Sequence, residues 1–184
     1  NLSKFALLNN INSILKENKI YGSIKNNSSY NIEFVSANPT GPMHVGHCRG
    51  AIYGDVLSNL LKFNGNKVTK EYYINDYGNQ IKNFAKSVFL RIREIKYNEK
   101  FISTEDLYPG KYIIDIAKKI IESNKKEKFE NFEKSLKLLR KDSLKHSMDL
   151  IKTDLKKLGI EHDKFFSETD LIEKKLVDKA INQL

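Results

Sequence analysis

The 184-residue sequence predicts an α/β fold carrying a largely helical insertion. Three observations predict it. Apolar and polar residues alternate over 30–36 and 67–74, the period of strands. Between those stretches the apolar period is three to four, the period of a helix. Beyond residue 80 almost every apolar stripe has helical spacing. Strand, helix and strand with short joints form a βαβ unit, with parallel strands and a right-handed crossover. Ligands of such sheets sit at the C-terminal edge of the strands.

Residues 1–20 carry Phe5, Leu8, Ile11, Ile14 and Leu15 at helical spacing, and YGSIKNNSS then reads as a polar linker. Tyr30, Ile32 and Phe34 mark the first strand. The spacing of Val45, Cys48, Ile52, Val56 and Leu60 predicts a helix with that face buried, ended by Asn64-Gly65 as a left-handed cap. KVTKEYYI, 67–74, is the second strand. Stripes follow at Ile81–Ile95, Ile113–Ile121 and Phe129–Leu139. The last of them resumes from Leu144 to Leu158 after a five-residue skip and ends at Gly159. HDKFFSE predicts a short strand, and 171–184 a final helix. Two or three strands are too few for a doubly wound sheet, so the chain is expected to be a piece of a larger one.

Hydrophobic content of 40% is enough to build a core. The one cysteine, Cys48, rules out an intrachain disulfide. No apolar run reaches transmembrane length, and the first residues lack a signal-peptide pattern; a cytoplasmic protein without a membrane partner is expected. A net charge of +9 suits a polyanionic partner such as nucleic acid, although lysines scattered over amphipathic helices produce the same balance.

The joint between first strand and helix, FVSANPTGPMHVGHCRG, holds two of the three prolines and two of the four histidines. His44 and His47, three apart at a helix start, share one face of the first turn. The unpartnered N–H groups expected there, with the helix dipole, favour phosphate. Two imidazole N–H groups add donors for oxygens that gain charge in phosphoryl or nucleotidyl transfer. Gly46 lets a flat ring or phosphate reach the backbone, and Pro39 and Pro42 stiffen the loop. A metal held by His44, His47 and Cys48 would lack further ligands, so no metal site is expected. Helix capping is the structural alternative for the two histidines. Glu33, between Ile32 and Phe34, reads as a buried carboxylate needing a cation, either a ligand guanidinium or a protein side chain such as Arg49. Asp76 and Gln80 are expected to face the same crevice, against the alternatives of N-capping by Asp76 and free solvation of Gln80.

His44-Val45-Gly46-His47 resembles the HIGH signature of class I aminoacyl-tRNA synthetases. The longer strings EFVSANPTGPMHVGHCRGAIYGD and GNKVTKEYYINDYGNQI resemble bacterial arginyl-tRNA synthetases, with weaker likeness through YPGKYIIDIAKKI and IKTDLKKLGIEHDKFFSE. The resemblance implies an incomplete Rossmann-type domain over 29–184, with a helical insertion at about 84–159, preceded by the end of an appended domain over 1–28. It implies ATP-dependent activation of arginine, with Mg²⁺ assisting, and transfer to tRNA(Arg) by a monomeric full-length enzyme. Carried over by position, His44 and His47 would contact ATP phosphates and stabilise the adenylation transition state. Gly46 would lie under the adenine, and Pro39 and Gly41 would line the ATP site. Glu33 would meet the arginine guanidinium, and Ser36 and Asn38 its α-amino group, with Asp76 and Gln80 beside them.

The family's second signature, of KMSKS type, does not occur here. Nor is there a lysine at Pro39-Thr40-Gly41-Pro42, where some arginyl enzymes carry one as a substitute. The second signature is therefore expected beyond Leu184, and the chain alone is expected not to turn over. The alternatives are another nucleotidyltransferase with a His-x-Gly-His motif, or a non-catalytic RNA-binding paralogue.

Overall fold

The computed structural model describes residues 3–184. Helix α1 (Lys4–Glu17) starts where the Ser3 hydroxyl accepts from the Ala6 N–H at 3.2 Å. A 3-10 turn follows, and none of α1 is buried. After an irregular linker come β1 (Ser29–Glu33), α2 (Val45–Phe63) and β2 (Lys67–Ile74). Strand β1 ends at Glu33, short of the predicted residue 36. Val35 and Ser36 have φ of 69° and 40°, which turns the chain out of the sheet. Helix α2 stops as predicted: Gly65 has φ of 79°, and a Cβ there would lie 2.3 Å from the Ile24 carbonyl oxygen.

Three long helices follow, α3 (Asn79–Tyr97), α4 (Lys111–Ser123) and α5 (Phe132–Lys157), then β3 (Lys164–Ser167). The sheet has the order β1-β2-β3, wholly parallel. Ser29 to Glu33 pair with Lys67 to Glu71, and Glu71 to Ile74 with Lys164 to Ser167. The predicted skip in the α5 stripe does not exist. Buried Ser143 and Ser147 carry the same face onward, and hydroxyl side chains are invisible to a search for apolar periodicity. The predicted final helix is two short ones, α6 (Glu168–Glu173) and α7 (Leu176–Ile181), parted by Lys175 at φ 52°.

Two cores result. One joins Phe84, Val88 and Ile92 of α3, Ile113, Ile116 and Ile120 of α4, Phe129, and Leu139 of α5. The other joins Phe34, Ala51, Tyr72 and Ile160 with Met148, Ile151 and Leu155 of α5. The predicted buried face of α2 is overturned. Val45, Ile52, Val56 and Leu60 are 50–86% exposed, whereas Ala51, Gly54 and Ser58 face inward. Small residues are what bring α2 down onto the loop after β1: a Cβ on Gly54 would sit 2.2 Å from the Phe34 ring. A largely buried ion pair, Lys70 Nζ to Asp55 Oδ1 at 2.5 Å, ties β2 to α2, with Asn59 Oδ1 at 3.1 Å.

Candidate active site

The loop from Phe34 to His44 lies at the C-terminal edge of the sheet, and residues distant in sequence shape it from behind. The buried Tyr72 hydroxyl donates to the Ala37 carbonyl at 2.8 Å. The Tyr112 hydroxyl, on α4, donates to the Thr40 carbonyl at 2.8 Å. It also lies under Gly41, where a Cβ would meet it at 3.1 Å. His162, just before β3, packs on Phe34 with the rings tilted and their centroids 4.2 Å apart, and places Nε2 3.3 Å from its carbonyl oxygen. Pro39 is buried and Gly41 half-buried, so both shape the turn. Sequence reasoning missed Tyr72, Tyr112 and His162. Their partners are 35, 72 and 128 residues away, and no local pattern announces such contacts.

At the start of α2 the two imidazoles cap the helix. His44 Nδ1 accepts from the Gly46 N–H at 3.1 Å, and His47 Nδ1 accepts from the His44 N–H at 3.3 Å. The expected array of unpartnered N–H groups is therefore corrected: the histidines take two of them. Capping and ligand binding are not exclusive here. A ring nitrogen that accepts carries no proton, so each ring keeps its proton on Nε2, as an outward donor. The rings stack 3.7 Å apart at 20°, face to face on the first turn of α2. Burial, then the neighbouring His44, lowers the His47 pKa below its ordinary 6.5 and holds that ring neutral near pH 7. The flat ring that Gly46 admits is His44 itself, since a Cβ would lie 2.9 Å from its Cε1.

Beside this pair runs a polar crescent. Ser36 Oγ donates to Glu33 Oε1 at 2.7 Å and accepts from the Tyr73 N–H at 3.0 Å. Asn38 donates to Gln80 Oε1 at 3.1 Å and accepts from Asn75 Nδ2 at 3.2 Å. Glu33 is exposed rather than buried, a correction that follows from its place at the end of an edge strand. Among the described residues it has no cationic partner, and Arg49 does not fill that role. Gln80 is held against Asn38 rather than freely solvated. Asp76 uses both carboxylate oxygens internally, accepting from Ser167 Oγ at 2.6 Å and the Thr169 N–H at 2.9 Å. It braces β2 against the start of α6. The structure thus brings Glu33, Ser36, Asn38 and Gln80 into one continuous rim and sets Asp76 at its end.

Among the described residues no cluster of three or more His, Cys, Asp or Glu side chains could hold a metal ion. Among the described residues no helix is long and apolar enough to cross a membrane. The arrangement offers two imidazole N–H donors at a helix N-terminus, suited to anionic oxygen, and an exposed carboxylate with polar neighbours, suited to a cation.

Comparison with known proteins gives a consistent result. Residues 10–169 match the family described as "tRNA synthetases class I (R), catalytic domain". An arginine–tRNA ligase of Pelagibacter ubique is 59% identical over 96% of this chain, and one of Ehrlichia chaffeensis 48% identical over 88%. The chain spans 31% and 28% of those proteins' lengths. A crystal structure described as an arginyl-tRNA synthetase from Campylobacter jejuni superimposes with a TM-score of 0.85 at 37% identity, over 94% of this chain and 38% of that one. The arginyl-tRNA synthetase of Thermus thermophilus shares the fold, with a TM-score of 0.58 at 20% identity.

Proposed function

We propose that this chain, which belongs to the family of class I tRNA synthetases (R), forms the nucleotide- and amino-acid-binding part of an arginine–tRNA ligase. The single observation that carries the reading is the pair of stacked imidazoles, each locked by backbone capping with its Nε2–H outward. Such donors need no reorganisation when charge develops on phosphate oxygens.

The reaction is in-line displacement at the α-phosphorus of ATP. A carboxylate oxygen of arginine forms the new O–P bond. The bond from the α-phosphorus to the bridging oxygen breaks, and pyrophosphate leaves with the electron pair. No proton need move, so positioning and charge stabilisation carry the step. His44 and His47 donate to phosphate oxygens, while Pro39, Gly41 and Gly46 shape the ATP side. Glu33 receives the guanidinium, and Ser36 and Asn38 hold the α-amino end, with Gln80 fixing Asn38. Asp76 holds the wall of the crevice. Mg²⁺ assists the step as part of MgATP. The activated arginine then passes to tRNA(Arg), in the cytoplasm and from a monomeric enzyme.

The test is arginine-dependent ATP–pyrophosphate exchange by the full-length protein with tRNA present. His47→Ala should lower exchange roughly 100-fold or more, the loss typical of one transition-state donor. Glu33→Gln should weaken arginine far more than ATP. Exchange that follows another amino acid, or an unimpaired His47→Ala, would overturn the reading.

A further inference from the structure

Two sets of side chains hold the loop from Phe34 to His44, and they come from different parts of the molecule. The sheet side holds the first part: Tyr72 of β2 donates to the Ala37 carbonyl, and His162, before β3, bonds the Phe34 carbonyl. The insertion holds the second part at Thr40, through the Tyr112 hydroxyl of α4. We propose that Tyr112 is a positioning residue through which the helical insertion sets the ATP-side half of the loop, Pro39 to Gly41, independently of the arginine-side half. The inference rests on the ligase reading, which gives the two halves their substrates.

The surroundings of Tyr112 keep its ring in one place. A Cβ on Gly110 would overlap the ring at Cε1, and a Cβ on Gly41 would come 3.1 Å from its hydroxyl oxygen. A side chain at either position would have to push the ring or its hydroxyl aside. The turn that leads into α4 is pinned by α3. Ser87 Oγ, fully buried, accepts from the Tyr108 N–H at 2.9 Å, and Arg91 Nη2 donates to the Pro109 carbonyl at 3.3 Å. The Tyr112 ring itself packs against the core of the insertion. Burial, then the neighbouring Tyr108, pushes its pKa up to about 12, so the hydroxyl keeps its proton and remains a donor through the neutral range.

What this hydroxyl holds is the softest point of the loop. Pro39 and Pro42 have fixed φ, and the residue before each proline is restricted too. The main freedom left swings the Thr40–Gly41 peptide, which moves as one plane. A bond to the Thr40 carbonyl fixes that plane. The Thr40 N–H, donating to the Asn38 carbonyl at 2.8 Å, closes the turn from the other side. A turn left free would meet ATP in many orientations, and the cost of ordering it would fall on binding.

The experiment compares the full-length protein with its Tyr112→Phe variant, which keeps the ring and loses only the hydroxyl. Calorimetry with MgATP and with arginine, each alone, should show MgATP binding weakened about 5-fold, the effect of one net hydrogen bond, and arginine binding unchanged within about twofold. Hydrogen exchange reads the two halves directly. The Thr40 N–H should exchange faster by about the same factor, while the Ser36 N–H, bonded to the Phe34 carbonyl at 3.0 Å, and the amides of α4 keep their rates. Equal weakening of both substrates, or a loss of protection spread over α4, would make Tyr112 a general packing residue and overturn the proposal. Unchanged MgATP binding or an unchanged Thr40 rate would overturn it as well. An unaltered protein that binds no MgATP sinks the ligase reading instead, and the exchange of Thr40 against Ser36 still decides whether Tyr112 holds this half of the loop.

Discussion

In the insertion, Phe84, Val88 and Ile92 of α3 meet Ile113, Ile116 and Ile120 of α4 and Leu139 of α5, all within 2% of full burial. In the sheet, β1 has no buried residue, and α2 leaves Ile52, Tyr53, Val56, Leu57 and Leu60 37–72% exposed. The first region buries the centre of each of its apolar stripes and leaves only ends such as Ile95 of α3 exposed, at 39%. The second covers one side of its sheet with α5 and presents the outer face of α2 uncovered. A sheet layer is stable when helices pack on it and those helices bury their own stripes in turn. The candidate site therefore sits on the less complete half of the molecule. The complete half acts as a strut, since Tyr112 and α5 reach out of it to hold the loop and the sheet.

The largest effect expected from this difference lies far from the site. Phe84→Ala removes a fully buried ring that touches both Ile-rich helices and stands edge-on to Tyr108 at 5.7 Å. A loss of about 3–5 kcal/mol is expected on urea unfolding, the usual cost of deleting such a ring. Hydrogen exchange should show α3, α4 and α5 losing protection first. Loss of protection confined to β1 and α2 would break the comparison.

A smaller effect should appear where the two regions meet the loop. Burial lowers the His162 pKa below 6.5, offset in part by its bond to the Phe34 carbonyl; Lys70 lowers it further, and Asp55 and Asp163 raise it. The unfolded chain then takes up the proton first as pH falls. Above pH 6.5 the group contributes no pH dependence, and below it stability declines until the folded form protonates too. One group can contribute at most about 1.4 kcal/mol per pH unit, and a half-buried ring stays under that cap. His162→Gln should flatten the decline measured between pH 7.5 and 5.5, whatever its stability at neutral pH. An unchanged slope would assign the decline to His47 and His146, whose pKa values burial also lowers.

Much of the architecture was legible in the residues because periodicity and punctuation act locally. Lys67–Ile74 and the Gly65 stop stand where they were expected. The misses share one cause, that a pattern shows which face is apolar and not what covers it. Ile32 and Phe34 on either side of Glu33 predict its burial, yet β1 is an edge and its end is open. The histidine pair was legible as chemistry, whereas its double capping geometry depends on ring orientation that no spacing encodes.

The outer face of α2 gives the smallest effect and the sharpest discrimination. Ile52, Val56 and Leu60 form one stripe, each at least half exposed. In this 184-residue chain, Ile52→Gln with Val56→Thr and Leu60→Gln removes almost no burial, so stability should change by no more than about 0.5 kcal/mol per site. This chain spans 31% and 28% of the arginine–tRNA ligases of Pelagibacter and Ehrlichia. If the rest of such a protein packs on α2, the same triple variant in the full-length protein should cost several kcal/mol, because each apolar side chain would then lose a buried site. Equal, small effects in both settings would mean that α2 stays exposed. The sheet would then be as complete as the insertion, and the contrast between the two regions would disappear.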